Sequence, residues 1–429
     1  MDASTSSRTA GAESHAGPAN LTELNDLYRG LAAVLPLPDL RTEAWHYGRP
    51  DRFLPGELQP ATSAQLSARA QSVLELLQSE QKLTVLEFQA DNLEFHLNRQ
   101  AADGELMLVQ RFTAADAFAG SPALQPWLGD LSQREPERLE AEALARLQQI
   151  LLIHVPAVHR PDSALHLLVD MPADGQARFE QIVVNVESGS ELELHLHIAG
   201  DDVAGQSLLH LGLDITLADN AGFRLVRYQH TGNGCDIRGM ERQRLGRDAR
   251  CSSVSLFSGG RHLRHDVATH LLGSGCESIL RGLYRMSGRQ TASIFSHQDH
   301  QVANAHSDLL FKGTLLDRSA ASYLGQISVA PDAQGTDAYQ SNRSLLLSPQ
   351  ARSSSSPQLE IEANDVRCSH GASVANVSAE ELFYLETRGI DPETGRHLLI
   401  SGFLAEVADL VPEGALREYV YGEMLGGRG

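Results

Sequence analysis

Residues 191–198, ELELHLHI, alternate strictly between polar and apolar side chains, and this stretch decides the fold class. Successive side chains of a β-strand point to opposite faces, so strict alternation predicts a strand with one buried face. Parts of SLLHLGLDITL (207–217) and GFRLVRYQ (222–229) repeat the pattern, and short turns containing Gly, Asp or Asn separate the three segments. No helix of ordinary length fits between them. The region from about 154 to 367 is therefore predicted to consist of strands.

More than two hundred residues in this style are too many for one small sandwich domain. A β-solenoid fits this length better, because each coil stacks on the previous one and the interior stays continuous. A pair of β-sandwiches is the alternative, and periodicity alone does not choose between the two architectures.

The segments on both sides of the strand region have helical periodicity. LTELNDLYRGLAAVL follows Asn20, which is a favourable N-cap, and EPERLEAEALARLQQILLIHV (135–155) places Leu139, Leu144, Leu147 and Leu151 at helical spacing. Near the other end, Ser378 begins a capping box. We expect four regions: a disordered tail over 1–20, an N-terminal helical domain over 21–153, a strand core over 154–367 and a C-terminal helical domain over 368–429.

Bulk composition narrows the function classes. A formal net charge of −20 argues against nucleic-acid binding, because phosphate recognition needs a basic surface. The sequence predicts no membrane association, since no apolar run has the length that a bilayer crossing requires. The first twenty residues lack the apolar stretch of a secretory signal. The four cysteines are scattered without a CxxC pair, so the expected location is the cytoplasm, with reduced thiols.

A nucleotide site of the P-loop type is not expected. The chain has only two lysines, Lys82 and Lys312, and neither lies in a G-x-x-x-x-G-K-[ST] context. If this protein belongs to an ATP-driven machine, the ATPase is another chain.

The histidine-rich run around His297 and His300, with His306 beyond it, is a candidate metal site. On a strand, His297 and His300 point to opposite faces, which weakens a shared-ion interpretation. The favoured role for these side chains is structural, as solvated polar groups or as partners in cross-strand hydrogen bonds.

Cys368-Ser369-His370 lies at the end of the strand region. Cys368 and His370 project to the same side of an extended backbone. A thiol and an imidazole are ligands that iron, zinc and iron–sulfur chemistry use. From the residues alone, a single C-x-H is more often structural than functional.

Two segments precede this triplet, HSDLLFKGTLLDRSAASYLGQISV (306–329) and DAYQSNRSLLLS (337–348), and a third contains it, PQLEIEANDVRCSHGASV (357–374). Together they resemble the core of the SufB/SufD family, the scaffold proteins of iron–sulfur cluster assembly. The resemblance is greater to SufD, because Gly371 stands where the SufB pattern has Glu and residues 341–347 contain no cysteine. The chain departs from the pattern at two turns, with Gly335 in place of a usual lysine and four serines over 353–356.

The resemblance implies a right-handed parallel β-helix between two helical regions. It also implies a non-enzymatic scaffold subunit that pairs with a SufB-like subunit and holds a SufC-like ATPase. A transient iron or nascent Fe–S cluster would be shared with the partner subunit at His370 and Cys368, and no nucleotide would bind to this chain. ATP binding to the ATPase subunits would reshape the shared site. A homodimer with a storage or intermediate role is a further possibility.

The C-terminal helices are the expected ATPase contact. Phe403, Leu404, Val407 and Leu410 have helical spacing and form an apolar stripe that exceeds what a small helical cap needs for itself. Internal packing of part of this stripe is the alternative.

The rival functional class is a cytoplasmic β-helical polysaccharide lyase or hydrolase, which would place carboxylates on one solenoid face. An aromatic content of only 5% leaves few platforms for stacking sugars and disfavours this alternative.

Overall fold

A computed structural model describes residues 18–39, 41–45, 49–62, 65–79, 84–88, 93–97 and 107–425. Most of the predicted tail over 1–20 lies outside these residues. The described chain contains seven α-helices: α1 Leu21–Val34, α2 Ala68–Ser79, α3 Gln125–Gln133, α4 Arg138–Leu144, α5 Ala379–Glu386, α6 Pro392–Ala408 and α7 Ala415–Leu425. It also contains twenty strands: β1 Gln59–Pro60, β2 Thr84–Phe88, β3 Leu93–Leu97, β4 Leu108–Phe112, β5 Gln149–Val155, β6 Leu165–Asp170, β7 Gln176–Val186, β8 Glu191–Gly200, β9 Ser207–Leu217, β10 Gly222–Thr231, β11 Cys235–Leu245, β12 Arg250–Gly259, β13 His262–Leu271, β14 Glu277–Met286, β15 Thr291–His300, β16 His306–Leu315, β17 Ala320–Val329, β18 Asp337–Leu346, β19 Arg352–Ile361 and β20 Arg367–Asn376.

From β5 onward, consecutive strands alternate between two sheets. Odd-numbered strands form one sheet, which ends at β19, and even-numbered strands form the other, which ends at β20. Up to β18, each of these strands pairs in parallel with the strand two places later, as β8 does with β10 and β16 does with β18. The result is a parallel β-solenoid of about eight turns. The predicted β-helix between helical regions is confirmed, and the sandwich alternative is wrong.

The alternation that predicted the strands separates the inner and outer faces of the solenoid. In β8, Leu192, Leu194 and Leu196 point inward and join the central core. Farther along the chain, the Tyr284 ring lies over Gly313 in the interior, because the two residues are in register on neighbouring strands. A Cβ added at Gly313 would lie 1.9 Å from the Tyr284 ring, so this glycine is required by the packing.

One predicted helix ends early. The helical pattern over 135–155 is realised only in α4, and residues 149–155 form β5 of the first coil. QILLIHV is buried on nearly every residue. A strand covered on both faces is a continuous apolar run, and periodicity does not distinguish such a run from a buried helical segment.

The helices cover the outer faces of the two sheets. Helices α1, α3 and α4 pack with the outer face of the odd sheet near its start. Helix α2 covers the even sheet at β6 and β8, and α6 and α7 cover it from β10 to β18. Helix α5 begins after Ser378, whose hydroxyl accepts a hydrogen bond of 3.2 Å from the Glu381 amide, as the capping box predicted.

Candidate assembly site at the open end of the solenoid

The last coil of the solenoid leaves two strand edges without a neighbour in the described chain. Strand β19 ends the odd sheet and β20 ends the even sheet. Each is ten residues long, and each carries backbone N–H and C=O groups that another strand could pair with. Long unpaired edges are uncommon on isolated proteins because they promote association.

Cys368 and His370 lie within β20 and point toward the solenoid interior. They are in register with Ala338 and Gln340 of β18, whose side chains are buried on the inner face. No further described coil covers β20, so the His370 side chain is exposed and Cys368 is half-buried. The sequence predicted the shared side of these two residues; the structure adds that this side is the mouth of the solenoid.

The two candidate ligands differ in their surroundings. The His370 side chain has no hydrogen bond to any residue that the structure describes, so both of its ring nitrogens are available. Cys368 packs at the edge of a small apolar cluster that includes Ala338 and Val329. Burial, with a smaller contribution from Asp337, raises the pKa of the Cys368 thiol. The thiol is therefore protonated at neutral pH in this chain alone, and a nearby positive charge or metal ion would be needed to form the thiolate.

Polar side chains form the floor beneath this mouth. The amide of Gln340 donates to the Gly325 and Gln358 carbonyls at 3.2 and 3.1 Å. Asn342 donates to the Ser355 hydroxyl at 3.1 Å. These buried amides were not singled out from the sequence, although the alternation in DAYQSNRSLLLS places them on one face.

The predicted ATPase stripe, on α6 and the turn that follows it, divides between the interior and the surface. Leu404 and Val407 are buried against the even sheet, together with side chains such as Leu283 and Leu310. Phe403 is half-buried, and its carbonyl accepts a 2.8 Å hydrogen bond from Lys312. Leu410 is 41% exposed. Two of the four residues therefore hold the helix on the solenoid, and the stripe is not one continuous exposed surface.

Other apolar side chains on the C-terminal helices are exposed. Phe383 and Tyr384 of α5 are 67% and 57% exposed, and Leu398 of α6 is 50% exposed. None of the residues of α5 is buried. The sequence pattern gave no means of separating these side chains from the buried ones, because α5 and α6 carry apolar residues on several faces.

The histidine-rich run of β15 has ordinary hydrogen-bonding roles. The Nε2 atoms of His297 and His300 lie 3.0 Å from the Ser328 hydroxyl and 2.8 Å from the Ser307 hydroxyl, respectively. His300 is buried, and burial lowers its pKa to about 4. His306 lies on β16 and is 3.7 Å from Asp337. The remaining cysteines, Cys235, Cys251 and Cys276, are buried.

Comparison with known proteins identifies the family to which this solenoid belongs. Residues 169–403, more than half of the chain, match the profile of the SufBD core domain of the SUF system for FeS cluster assembly. The chain belongs to the SufBD family. The matched region contains both Cys368 and His370.

Individual relatives favour SufD within this family. The chain is 33% identical to the iron–sulfur cluster assembly protein SufD of Escherichia coli over 176 residues, 41% of this chain and 42% of that protein. It is 30% identical to a SufBD family protein of Synechocystis over 211 residues, 48% of this chain and 47% of the relative. Identity to SufD of Bacillus subtilis is 23%, over 95% of this chain and 94% of that protein. The first two matches thus span less than half of each relative.

Proposed function

We propose that this chain is a scaffold subunit of the SUF machinery that helps to build nascent iron–sulfur clusters and catalyses no bond change by itself. The observation that carries the proposal is the pair of His370 and Cys368 on the inner face of an uncovered last coil. Family membership supports this role over a polysaccharide lyase or hydrolase. The expected location is the cytoplasm, and the described helices include none with the length and apolar character of a bilayer crossing.

The open coil is the proposed contact with a SufB-like subunit. Strands β19 and β20 offer unpaired backbone groups, and an added strand would satisfy them. Exposed apolar side chains at the same end, Ile361 and Val374, would be buried by such a partner. A second copy of this chain has the same edges, so a homodimer is the alternative when the SufB-like subunit is absent.

Iron or a nascent cluster is the cargo of the proposed site. Fe–S clusters are usually held by about four protein ligands, and His370 with Cys368 gives two. The partner would therefore complete the ligand set, and a site shared between subunits would assemble only in the complex. A neutral imidazole binds iron, and a metal ion would favour the thiolate of Cys368.

The C-terminal helices are the proposed contact with a SufC-like ATPase. Leu410 is the exposed member of the predicted stripe. The proposed surface also includes the exposed side chains of Phe383, Tyr384 and Leu398. Nucleotide would bind to the ATPase and not to this chain. Because α6 packs directly on β14 to β18, a movement of the ATPase subunits would be transmitted to the coils that lead to His370.

Anaerobic reconstitution of the complex tests the proposed site. We expect His370→Ala to leave the complex with its SufB-like and SufC-like partners intact and to lower its iron and sulfide content severalfold. His306→Ala is the matched control, because it removes a part-exposed imidazole from β16, outside the solenoid mouth. Size-exclusion chromatography checks assembly, and iron and sulfide are measured per complex. Equal cluster content in the wild-type and His370→Ala complexes would refute the proposed role.

A further inference from the structure

Three buried histidines meet on the outer face of the even sheet, near the start of the solenoid. His166 of β6 is in register with His195 of β8, and alternation places His197 on the same face as His195. Each ring offers one nitrogen that lies within 4.8 Å of those of the other two. All three residues are buried, with exposed fractions of 3% for His166, 4% for His195 and 1% for His197.

The hydrogen bonds of this cluster leave several nitrogens unused. His166 Nδ1 lies 3.1 Å from His197 Nε2, and His195 Nε2 lies 2.8 Å from a carboxylate oxygen of Glu193. His166 Nε2, His195 Nδ1 and His197 Nδ1 are buried without a hydrogen-bond partner among the described residues. Buried polar atoms normally have a partner, so the unpartnered Nδ1 of His195, beside the His166 and His197 rings, indicates a missing ligand.

The hydrogen-bonding geometry of these groups suits a cation. The Glu193 carboxylate accepts the hydrogen bond from His195 Nε2, so His195 carries its proton on Nε2 and presents the lone pair of Nδ1. In the hydrogen bond between His166 Nδ1 and His197 Nε2, one nitrogen donates to the other. An ion bound to these two nitrogens would replace that hydrogen bond, and each ring would carry its proton on its other nitrogen.

We propose that His166, His195 and His197 bind a divalent first-row transition metal ion such as Zn²⁺. Three imidazoles are an established ligand set for zinc, with a fourth position left for water. Tetrahedral coordination at about 2.05 Å places ligand nitrogens about 3.3 Å apart. The 3.1 Å pair of His166 and His197 is close to that spacing, and small side-chain rotations would bring the third nitrogen in.

Glu193 completes the arrangement as a positioning residue. Metal-binding histidines commonly donate their second ring N–H to a carboxylate, which fixes the tautomer and the ring orientation. Glu193 accepts from His195 in this way and need not touch the ion. The ion would join β6 to β8 on the face that α2 covers at Leu168 and Ala199, and would thereby hold the first coil in place. This site is separate from His370 and Cys368 and does not depend on the proposed function.

Titration of the full chain, stripped of metal with a chelator, tests this site. We expect one equivalent of Co²⁺ to bind with visible d–d bands and without a thiolate-to-cobalt charge-transfer band, and Zn²⁺ to displace it. His195→Gln should weaken Zn²⁺ binding by at least about 100-fold, and Glu193→Gln, which alters no ligand, by about 10- to 100-fold. The thermal unfolding midpoint of the wild-type chain should rise on Zn²⁺ addition.

Two controls separate this site from other effects. His210→Asn removes an equally buried histidine, bonded to the Phe53 carbonyl at 2.7 Å, from β9, and should leave Zn²⁺ affinity unchanged. Cys368→Ser should also leave the first equivalent unchanged. If His195→Gln fails to fold, Glu193→Gln still tests the assignment. Zn²⁺ affinity of the Glu193→Gln chain equal to that of wild type, or a thiolate band in the Co²⁺ spectrum, would overturn it.

Discussion

An ion pair inside the solenoid allows a quantitative test of how the core is held together. Arg227 of β10 and Glu241 of β11 point inward, and their charged atoms are 2.8 Å apart. Both side chains are almost completely buried. The Gln243 amide donates to the other oxygen of Glu241 at 2.5 Å. We expect Glu241→Gln to lower the free energy of unfolding substantially, because it leaves the Arg227 charge buried without a counter-charge.

The structure sets the size of this effect. Two unit charges 2.8 Å apart attract by about 6 kcal/mol at an effective dielectric constant of about 20. The glutamine can still accept a hydrogen bond, so the expected cost is smaller, about 3–5 kcal/mol, as for other broken buried pairs. The double change Glu241→Gln with Arg227→Met removes both charges and should be more stable than Glu241→Gln alone.

Urea unfolding followed by far-UV circular dichroism measures these differences. The control is Arg247→Gln, which breaks an exposed pair with Asp219 at 3.0 Å and should cost less than about 1 kcal/mol. The reasoning is refuted if Glu241→Gln costs no more than Arg247→Gln. It is also refuted if the double variant is less stable than Glu241→Gln.

Two further predictions concern the helices and the buried histidines. Leu404→Ala should lower the free energy of unfolding by about 2–5 kcal/mol, because the Leu404 side chain is buried against the solenoid. Leu398→Asp, in contrast, should change the free energy of unfolding by less than about 0.5 kcal/mol and should weaken binding of a SufC-like ATPase in a pull-down. Unaltered ATPase binding by Leu398→Asp would contradict the proposed contact. Burial lowers the pKa of His210 to about 3 and that of His300 to about 4, so the unfolded chain takes up protons that the folded chain does not. The free energy of unfolding should therefore fall as the pH drops below about 6.5, by up to about 1.4 kcal/mol per pH unit for each such histidine. Urea unfolding from about pH 7 to 5 measures this dependence. If the free energy of unfolding of His210→Asn depends on pH as steeply as that of the wild-type chain, the reasoning is wrong.

Local sequence pattern was sufficient for the alternating strands, the caps and the selection of the candidate site residues. Alternation in ELELHLHI assigned Leu194 and Leu196 to one face because side-chain direction along a strand depends only on the period of two. The N-cap at Asn20 depends on a contact three residues away, a hydrogen bond of 3.0 Å from the Glu23 amide. The three segments between residues 306 and 374 were together enough to show the family resemblance and to select Cys368 and His370.

Tertiary structure decided which faces are covered and which distant residues meet. QILLIHV could not be separated from a helix because burial on both faces removes the periodic signal. Leu404 and Leu398 have similar local sequence surroundings, and only the position of α6 on the even sheet makes one buried and the other exposed. His195 and His197 both lie in ELELHLHI, but His166 joins them only through the register of β6 with β8. Registers of this kind depend on how whole coils stack, so they cannot be predicted from a local pattern of side chains.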